Sequence, residues 1–272
     1  MTCLFCLSKG PFNKEHVIPE SLGNDDLILE GQVCCQCNSH FSRIEQFVLH
    51  KTPIAFWRTY LGIKTKRGAL PSVDLSQPNK NKGIFPGTHP RHDNGIGFTA
   101  HEDGSVSVEV ENDETIRGML TGDREQFNLV MTPLVLFNLS RFLCKIGIEL
   151  ECMEDANRAR SGTFTAVRHY ARYGSTKDLW PIFHYQDGEL QELKRRTHDS
   201  EGVLEEVDCY RYALYIVCDH YSVVHLTTGL DNWVVCLNEQ FPGVHFKKAF
   251  ERTDINCIWY SAEEIGFKQR KS

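Results

Sequence analysis

Two pairs of cysteines near the N-terminus have the spacing of a metal site. Cys3 and Cys6 form one Cys-x-x-Cys pair, and Cys34 and Cys37 form a second pair. Four thiolates in two such pairs supply the tetrahedral sulfur ligands that zinc prefers in closed, structural sites. Cys35 is one residue too close for this spacing, so we expect it to be a bystander. The alternative, a redox role for a single pair, is weakened by the presence of the second pair.

Further residues that could do chemistry lie between the two cysteine pairs and directly after them. Residues 15–24 read Glu-His-Val-Ile-Pro-Glu-Ser-Leu-Gly-Asn, and Asn38 directly follows the second pair. In order and spacing these motifs resemble the HNH endonucleases. The closest likeness is to the branch in which Cys-x-x-Cys, Glu-His-x-x-Pro-x-x-Leu-Gly and Cys-x-x-Cys-Asn follow one another. The resemblance covers about residues 3 to 47 of the chain.

The resemblance implies the ββα-metal fold, in which a two-stranded hairpin and a helix hold one divalent ion. By position, it implies that His16 is the general base. It also implies that Glu15 and Asn38 bind a catalytic Mg²⁺ or Mn²⁺ ion. Glu45 returns to the helical face of Asn38, so it is either a further ligand of this ion or a solvated charge.

The residue types suit phosphodiester hydrolysis on chemical grounds. This reaction needs an activated water molecule and a cation that offsets the developing negative charge. An imidazole titrates near neutral pH and, as a general base, contributes roughly 10²- to 10⁴-fold to the rate. Relatives often carry a middle asparagine that holds the loop of the base, but residues 25–37 contain none. Asn24 or a backbone group must therefore hold this loop.

The segment that follows these motifs is strongly basic. Between Lys51 and Arg91 there are eight basic residues and one acidic residue, although the whole chain has a net charge of −6. Contacts between such side chains and phosphates hold a nucleic acid in place without reading its sequence. A solvated basic surface is the alternative interpretation. The residues that we expect to bind nucleic acid are Lys51, Arg58, Lys64, Lys66 and Arg67.

Composition excludes several classes of protein. Of the 272 residues, 41% are hydrophobic, as in an ordinary globular protein. No apolar run approaches the roughly 20 residues that are needed to span a bilayer, so we expect no contact with a membrane. Eleven cysteines, an odd number, fit a metal site and free thiols better than a disulfide framework. We therefore expect a cytoplasmic protein without a signal peptide.

The hydrophobic patterns predict an α+β fold with three regions. Residues 1–63 are expected to form the small zinc-stapled HNH module, which includes a second helix capped by Thr52. Residues 64–95 are rich in Gly, Pro, Asn and Lys and are expected to be a basic linker. Residues 96–272 are expected to form a larger α+β domain with a hairpin, a buried helix capped by Thr132 and an antiparallel sheet.

These motifs together predict a metal-dependent endonuclease that hydrolyses the phosphodiester bonds of DNA. The resemblance also suggests a role as an effector in antiviral defence or restriction, and a protein partner for the C-terminal domain. Two alternatives stay open, namely a non-catalytic zinc-knuckle module that binds nucleic acid or protein, and a ribonuclease that uses the same site. The coincidence of Glu15, His16 and Asn38 favours catalysis, because a binding knuckle has no use for it.

Overall fold

The structure of the protein is a computed structural model. It describes residues 2–65, 67–75, 96–103, 105–110, 117–118, 120–123, 131–175, 178–188, 210–250 and 257–261. The predicted α+β class is confirmed, since a small N-terminal ββα region with a four-cysteine cluster precedes a larger region with antiparallel sheets. In the part of the chain that the structure describes, no helix is long and apolar enough to cross a membrane.

The ββα region consists of a hairpin and a long helix. Strands β1 (Phe12–His16) and β2 (Ile28–Cys34) pair in antiparallel register, with a bulge after Asn13. Helix α1 (Cys35–Lys51) begins directly after β2. The amide of Cys35, its first residue, donates a hydrogen bond to the Pro11 carbonyl in the loop before β1. The helix buries apolar side chains at intervals of three and four residues and so packs one face on the core.

Two further helices begin at the residues that their sequence signals predict. Helix α2 (Pro53–Tyr60) has Thr52 as its N-cap, whose side chain accepts a hydrogen bond from the amide of Ile54 at 3.2 Å. Helix α3 (Pro133–Glu154) has Thr132 in the same role. In both cases threonine satisfies a free amide of the first turn and proline occupies the first helical position.

A small three-stranded sheet follows α2. It contains β3 (Ser72–Asp74) and the predicted hairpin of β4 (Ile96–Ala100) and β5 (Val106–Val110), in the order β3-β4-β5. Strand β3 lies inside the segment that was expected to be a linker. Its position is explained by Val73, which is buried in one cluster with Phe98 and thereby holds this short strand on the hairpin.

A five-stranded antiparallel sheet forms the centre of the larger region. In spatial order its strands are β10 (Cys257–Tyr260), β6 (Ile182–Gln186), β9 (Asp231–Cys236), β8 (Tyr221–Thr228) and β7 (Tyr210–Val217). Three of them, β7, β8 and β9, are the strands that the Val-, Tyr- and Trp-rich segments predict.

Helices cover both faces of this sheet. Helix α3 lies on one face, where a Cβ atom on Gly147 would come within 2.5 Å of the Leu237 side chain, so only glycine permits this close approach. Helix α6 (Val244–Phe250) covers the other face through Phe246, whose ring packs edge-on against Tyr221. The short helix α4 (Ala156–Ala159) and helix α5 (Thr165–Tyr173) follow α3, and α5 packs against it.

The ββα region and the larger region share one hydrophobic core. A continuous cluster of buried side chains runs from Cys3 and Phe41 through Phe142 on α3 to Trp233 in the sheet. Helix α3 contacts α1 on one side and the sheet on the other, so it is the element that joins them. A module of about 60 residues has few large apolar side chains and buries little surface by itself, which explains why it packs on α3.

A second contact between the two regions centres on Trp57 of α2. Its indole Nε1 donates a hydrogen bond to the buried carboxylate of Asp231 at 2.7 Å. His184 and Gln186 of β6 approach the other oxygen of the same carboxylate. The β8–β9 turn leaves room for the indole because it contains Gly229, at which a Cβ atom would lie 2.1 Å from the Trp57 ring.

Replacing Gly229 with alanine is therefore expected to lower the free energy of unfolding by about 3 kcal/mol. Roughly 1 kcal/mol comes from the left-handed backbone, and the rest comes from displacing Trp57 from Asp231. Gly68→Ala is the matched control, because Gly68 also has a positive φ but nothing within 4 Å of an added Cβ. Urea denaturation of the full chain measures both variants, and equal losses would contradict this role of Trp57.

Candidate functional site

The four cysteines that were expected to bind zinc form one cluster. The Sγ atoms of Cys3, Cys6, Cys34 and Cys37 all lie within 4.8 Å of one another. A zinc ion at about 2.3 Å from each of four sulfurs separates the sulfurs by about 3.8 Å, so the cluster has the dimensions of a tetrahedral site. The loop before β1, the end of β2 and the first turn of α1 supply the ligands. The arrangement can hold a metal ion such as zinc.

Hydrogen bonds to the sulfurs prepare this cluster for a cation. The amide of Cys34 donates to Cys3 Sγ at 3.4 Å, and Arg172 Nε of α5 donates to Cys37 Sγ at 3.3 Å. A hydrogen bond from Cys37 and hydrogen bonds from backbone amides lower the pKa of the Cys3 thiol to about 4, although burial opposes the shift. The same contact raises the pKa of the Cys37 thiol well above its usual value. Cys35 lies outside the cluster and donates to Asn13 instead, so the prediction that it is a bystander is confirmed.

Glu15 and His16 occupy the last two positions of β1. Because side chains alternate along a strand, the two residues face opposite sides of the hairpin. The Glu15 side chain points into the protein and is 4% exposed, whereas His16 is half-buried. The Nδ1 atom of His16 is buried and has no hydrogen-bond partner in the part of the chain that the structure describes.

Lys145 of α3 lies directly beneath these two residues. Its Nζ atom is 2.8 Å from a Glu15 carboxylate oxygen and donates to the His16 carbonyl at 2.7 Å. The same ammonium group is 2.8 Å from Glu45 of α1 and 3.0 Å from Glu149 of α3. Lys145 thus joins β1, α1 and α3 through a single buried cation, and its side chain is only 1% exposed.

The charged groups in this cluster shift one another's pKa values. Burial opposes the charge of Lys145, but the Glu149, Glu45 and Glu15 carboxylates outweigh it and raise the pKa of Lys145 above its usual value. Burial raises the pKa of Glu149 well above its usual value and raises that of Glu15, in both cases against the pull of Lys145. Lys145 therefore keeps its positive charge among these carboxylates.

The side chains of Asn24 and Arg58 hold the segment that follows His16. The side chain of Asn24, which is 1% exposed, donates to the Ile18 carbonyl at 2.6 Å and accepts from the amide of Leu27 at 2.9 Å. Arg58 Nε of α2 donates to the Ser21 carbonyl at 2.8 Å. Asn24 thus holds the loop of the expected base. This is the role that the sequence left to Asn24 or to a backbone group, because residues 25–37 contain no asparagine. Arg58 was expected to meet phosphates, but it is 4% exposed and bonded to this loop.

Asn38 and Glu45 lie on the face of α1 that is nearest to β1. The Asn38 side-chain amide donates to the Lys14 carbonyl at 3.0 Å and so ties the first turn of α1 to the strand that carries His16. Glu45, seven residues further along, faces Lys145 and is a partner of that ammonium group. The structure thus brings the Glu15 and Glu45 carboxylates and the His16 backbone carbonyl together around one cation, with Asn38 bonded to the same strand.

This arrangement does not fit the divalent ion that was expected at Glu15 and Asn38. The Glu15 carboxylate is engaged in a buried ion pair with Lys145, and the Asn38 amide is bonded to backbone. A divalent cation at Glu15 would lie beside an ammonium group that shares the same oxygen ligand, and the two cations repel each other. Within the described ranges, the cluster of His, Cys, Asp or Glu side chains that suits a metal is the four-cysteine set.

Lys51, Lys64 and Arg67, which were also expected to bind nucleic acid, lie outside this cluster. Lys51 donates from Nζ to the backbone of β3, and Lys64 forms an exposed ion pair with Glu102 at 3.3 Å. Arg67 is exposed, and Lys66 lies outside the described residues. An exposed ion pair contributes little to stability, so its lysine can exchange its partner for a phosphate at small cost.

Lys145 and Glu149 were not expected from the sequence to belong to the site. The signal that could have indicated them is their place four residues apart within the apolar stripe of α3, where charged side chains are rare unless they are paired. Their partners on β1 and α1 could not be predicted from that stripe.

Comparisons of the chain with protein-family models, with curated proteins and with solved structures found no match.

Proposed function

We propose that the protein is a nuclease of the HNH type that hydrolyses phosphodiester bonds of DNA. One observation carries the proposal. His16 ends β1 of a ββα region, Asn38 in the first turn of α1 is hydrogen bonded to the same strand, and a four-cysteine cluster links strand and helix. This order of hairpin, histidine, cysteine pair and helix supports the ββα-metal fold that the HNH resemblance implies, although Glu15 and Asn38 have other partners than a divalent ion.

The proposed role of His16 is that of general base. Its Nδ1 atom is buried, so Nε2 is the ring nitrogen that can reach a water molecule. The side chains of Asn24, Arg58 and Lys145 hold the backbone of His16 and of the segment that follows it. Such preorganisation lets the base take a proton from the attacking water without first being ordered.

The four cysteines are proposed to bind a structural zinc ion, which keeps α1 and β1 in a fixed relation. All four ligand positions are sulfur, so the ion has no open position for a water or a substrate. Free thiols are stable in a reducing compartment, and we therefore propose the cytoplasm as the location. A role in antiviral defence or restriction rests on the resemblance alone, and we propose that the larger region contacts a protein partner.

The second candidate function is a non-catalytic zinc module that binds nucleic acid or protein. The observation that favours it is the Glu15–Lys145 ion pair, which neutralises the acidic group of the expected metal site. The nuclease and the nucleic-acid-binding form of the module would both bind nucleic acid through basic side chains such as Lys64 and Arg67. They differ in whether a phosphodiester bond is broken.

A cleavage assay with the purified full chain tests both candidates. Supercoiled plasmid, linear duplex, single-stranded DNA and RNA are each incubated with the protein, either with EDTA or with added Mg²⁺ or Mn²⁺. We expect nicked or linear plasmid in at least one of these conditions, and no product with His16→Ala. Cleavage of RNA alone would make the protein a ribonuclease, and binding without cleavage would support the non-catalytic module.

A further inference from the structure

We propose that Lys145 is the positioning residue of the candidate active site. Its ammonium group, supplied by the larger region, takes the place of a bound cation beside Glu15 and orients the backbone of His16. This inference rests on the proposed nuclease function. It also assigns a role to α3, because the ββα region lacks a complete site without this helix.

The geometry around Lys145 is that of a cation with a full set of oxygen ligands. Three carboxylates lie within 3.0 Å of Nζ, and the backbone carbonyls of His16 and Val17 accept hydrogen bonds from it at 2.7 and 3.2 Å. A lone carboxylate such as Glu15 would be costly to bury without a counter-charge. The ammonium group supplies that charge without a bound metal.

Lys145 acts on the proposed base through the backbone and not through contact with substrate. Its side chain is 1% exposed, so it cannot reach a phosphate. The two carbonyls that it binds flank the point where β1 ends and the chain turns into the loop held by Asn24. A base that sits on a segment fixed in this way keeps its geometry, whereas a misplacement of about 1 Å costs on the order of 10²-fold in rate.

A merely structural role for Lys145 is the competing explanation, and a paired substitution separates the two. Lys145→Met with Glu149→Leu replaces an ion pair on one face of α3 by two apolar side chains of similar size. Glu15 and Glu45 lose their counter-charge in this variant, so its melting temperature is measured beside its activity. Glu149→Leu alone is the matched control, because it removes a buried charge and leaves the bonds from Lys145 to the backbone. Arg168→Met is the second control. Arg168 is also a buried cation that donates to a backbone carbonyl, but this carbonyl belongs to Ser161 and not to the segment after His16.

Two measurements on the full chain give the test. In the paired variant we expect kcat to fall about 100-fold with little change in KM, and amide exchange in residues 17–24 to become about tenfold faster. Exchange there reports on the amides of Val17 and Leu22, which are bonded to backbone carbonyls. Both control variants should keep the exchange of this segment, and Arg168→Met should also keep the kcat of the wild type.

Unchanged exchange in residues 17–24 would overturn the inference, and so would a stable paired variant with wild-type kcat. If the wild type cleaves no nucleic acid, the proposed function fails, and the exchange measurement alone then decides whether Lys145 positions the segment. Should the apolar pair not fold, Lys145→Gln with Glu149→Gln is the second variant. Glutamine is neutral and shorter than lysine, so the same losses are expected.

Discussion

Replacing Cys3 or Cys37 with serine is expected to remove zinc from the protein and to leave the chain insoluble. Each of these sulfurs is buried within the four-cysteine cluster and accepts a hydrogen bond from a neighbouring group. Structural zinc sites in small modules contribute on the order of 10 kcal/mol to folding. This is comparable to the whole stability of a typical domain, roughly 5–15 kcal/mol, so one missing ligand is enough to unfold the ββα region.

The large effect is specific to the cluster, and Cys35→Ser is the matched control. Cys35 adjoins a ligand in sequence, but its thiol bonds to Asn13 and lies outside the cluster, so the variant should stay soluble and keep its zinc. Elemental analysis of the purified proteins measures the metal, with about one zinc per chain expected in the wild type. Wild-type protein that is folded but contains no zinc would contradict the prediction.

His16→Ala is expected to abolish cleavage while leaving the zinc content and the melting temperature nearly intact. Loss of a general base costs about 10²- to 10⁴-fold in rate. The structural cost is small because the ring is half-buried, lies outside the cysteine cluster and has no hydrogen bond from its buried Nδ1 atom to lose among the described groups. The variant therefore separates catalysis from folding.

The measurement compares initial rates of plasmid cleavage, zinc content and thermal unfolding for both proteins. His50→Ala is the control, since His50 is an exposed histidine at the end of α1 and the proposed mechanism does not involve it. It should keep the wild-type rate. Wild-type cleavage by His16→Ala would refute the role of His16 and would leave the non-catalytic zinc module as the better explanation.

Features that depend on neighbours in sequence could be predicted from the chain alone. The two Cys-x-x-Cys pairs predict the four-cysteine cluster because a knuckle turn fixes the distance between its own two thiols. The helix starts at Thr52 and Thr132 follow from caps that bond within three residues, and the hairpin of β4 and β5 follows from alternation around a turn. Each of these signals is local.

The surroundings of Glu15 could be decided only by the tertiary structure. The sequence predicts a metal ligand there, whereas the fold pairs the carboxylate with Lys145, which lies 130 residues later on α3. In the same way, the sequence places Arg58 in a basic surface, whereas in the fold it is buried and donates to the Ser21 carbonyl. A charged side chain takes the partner that its burial brings near, because an unpaired charge in the core is costly. Which partner is near depends on how distant helices pack, and no local pattern in this chain specifies that packing.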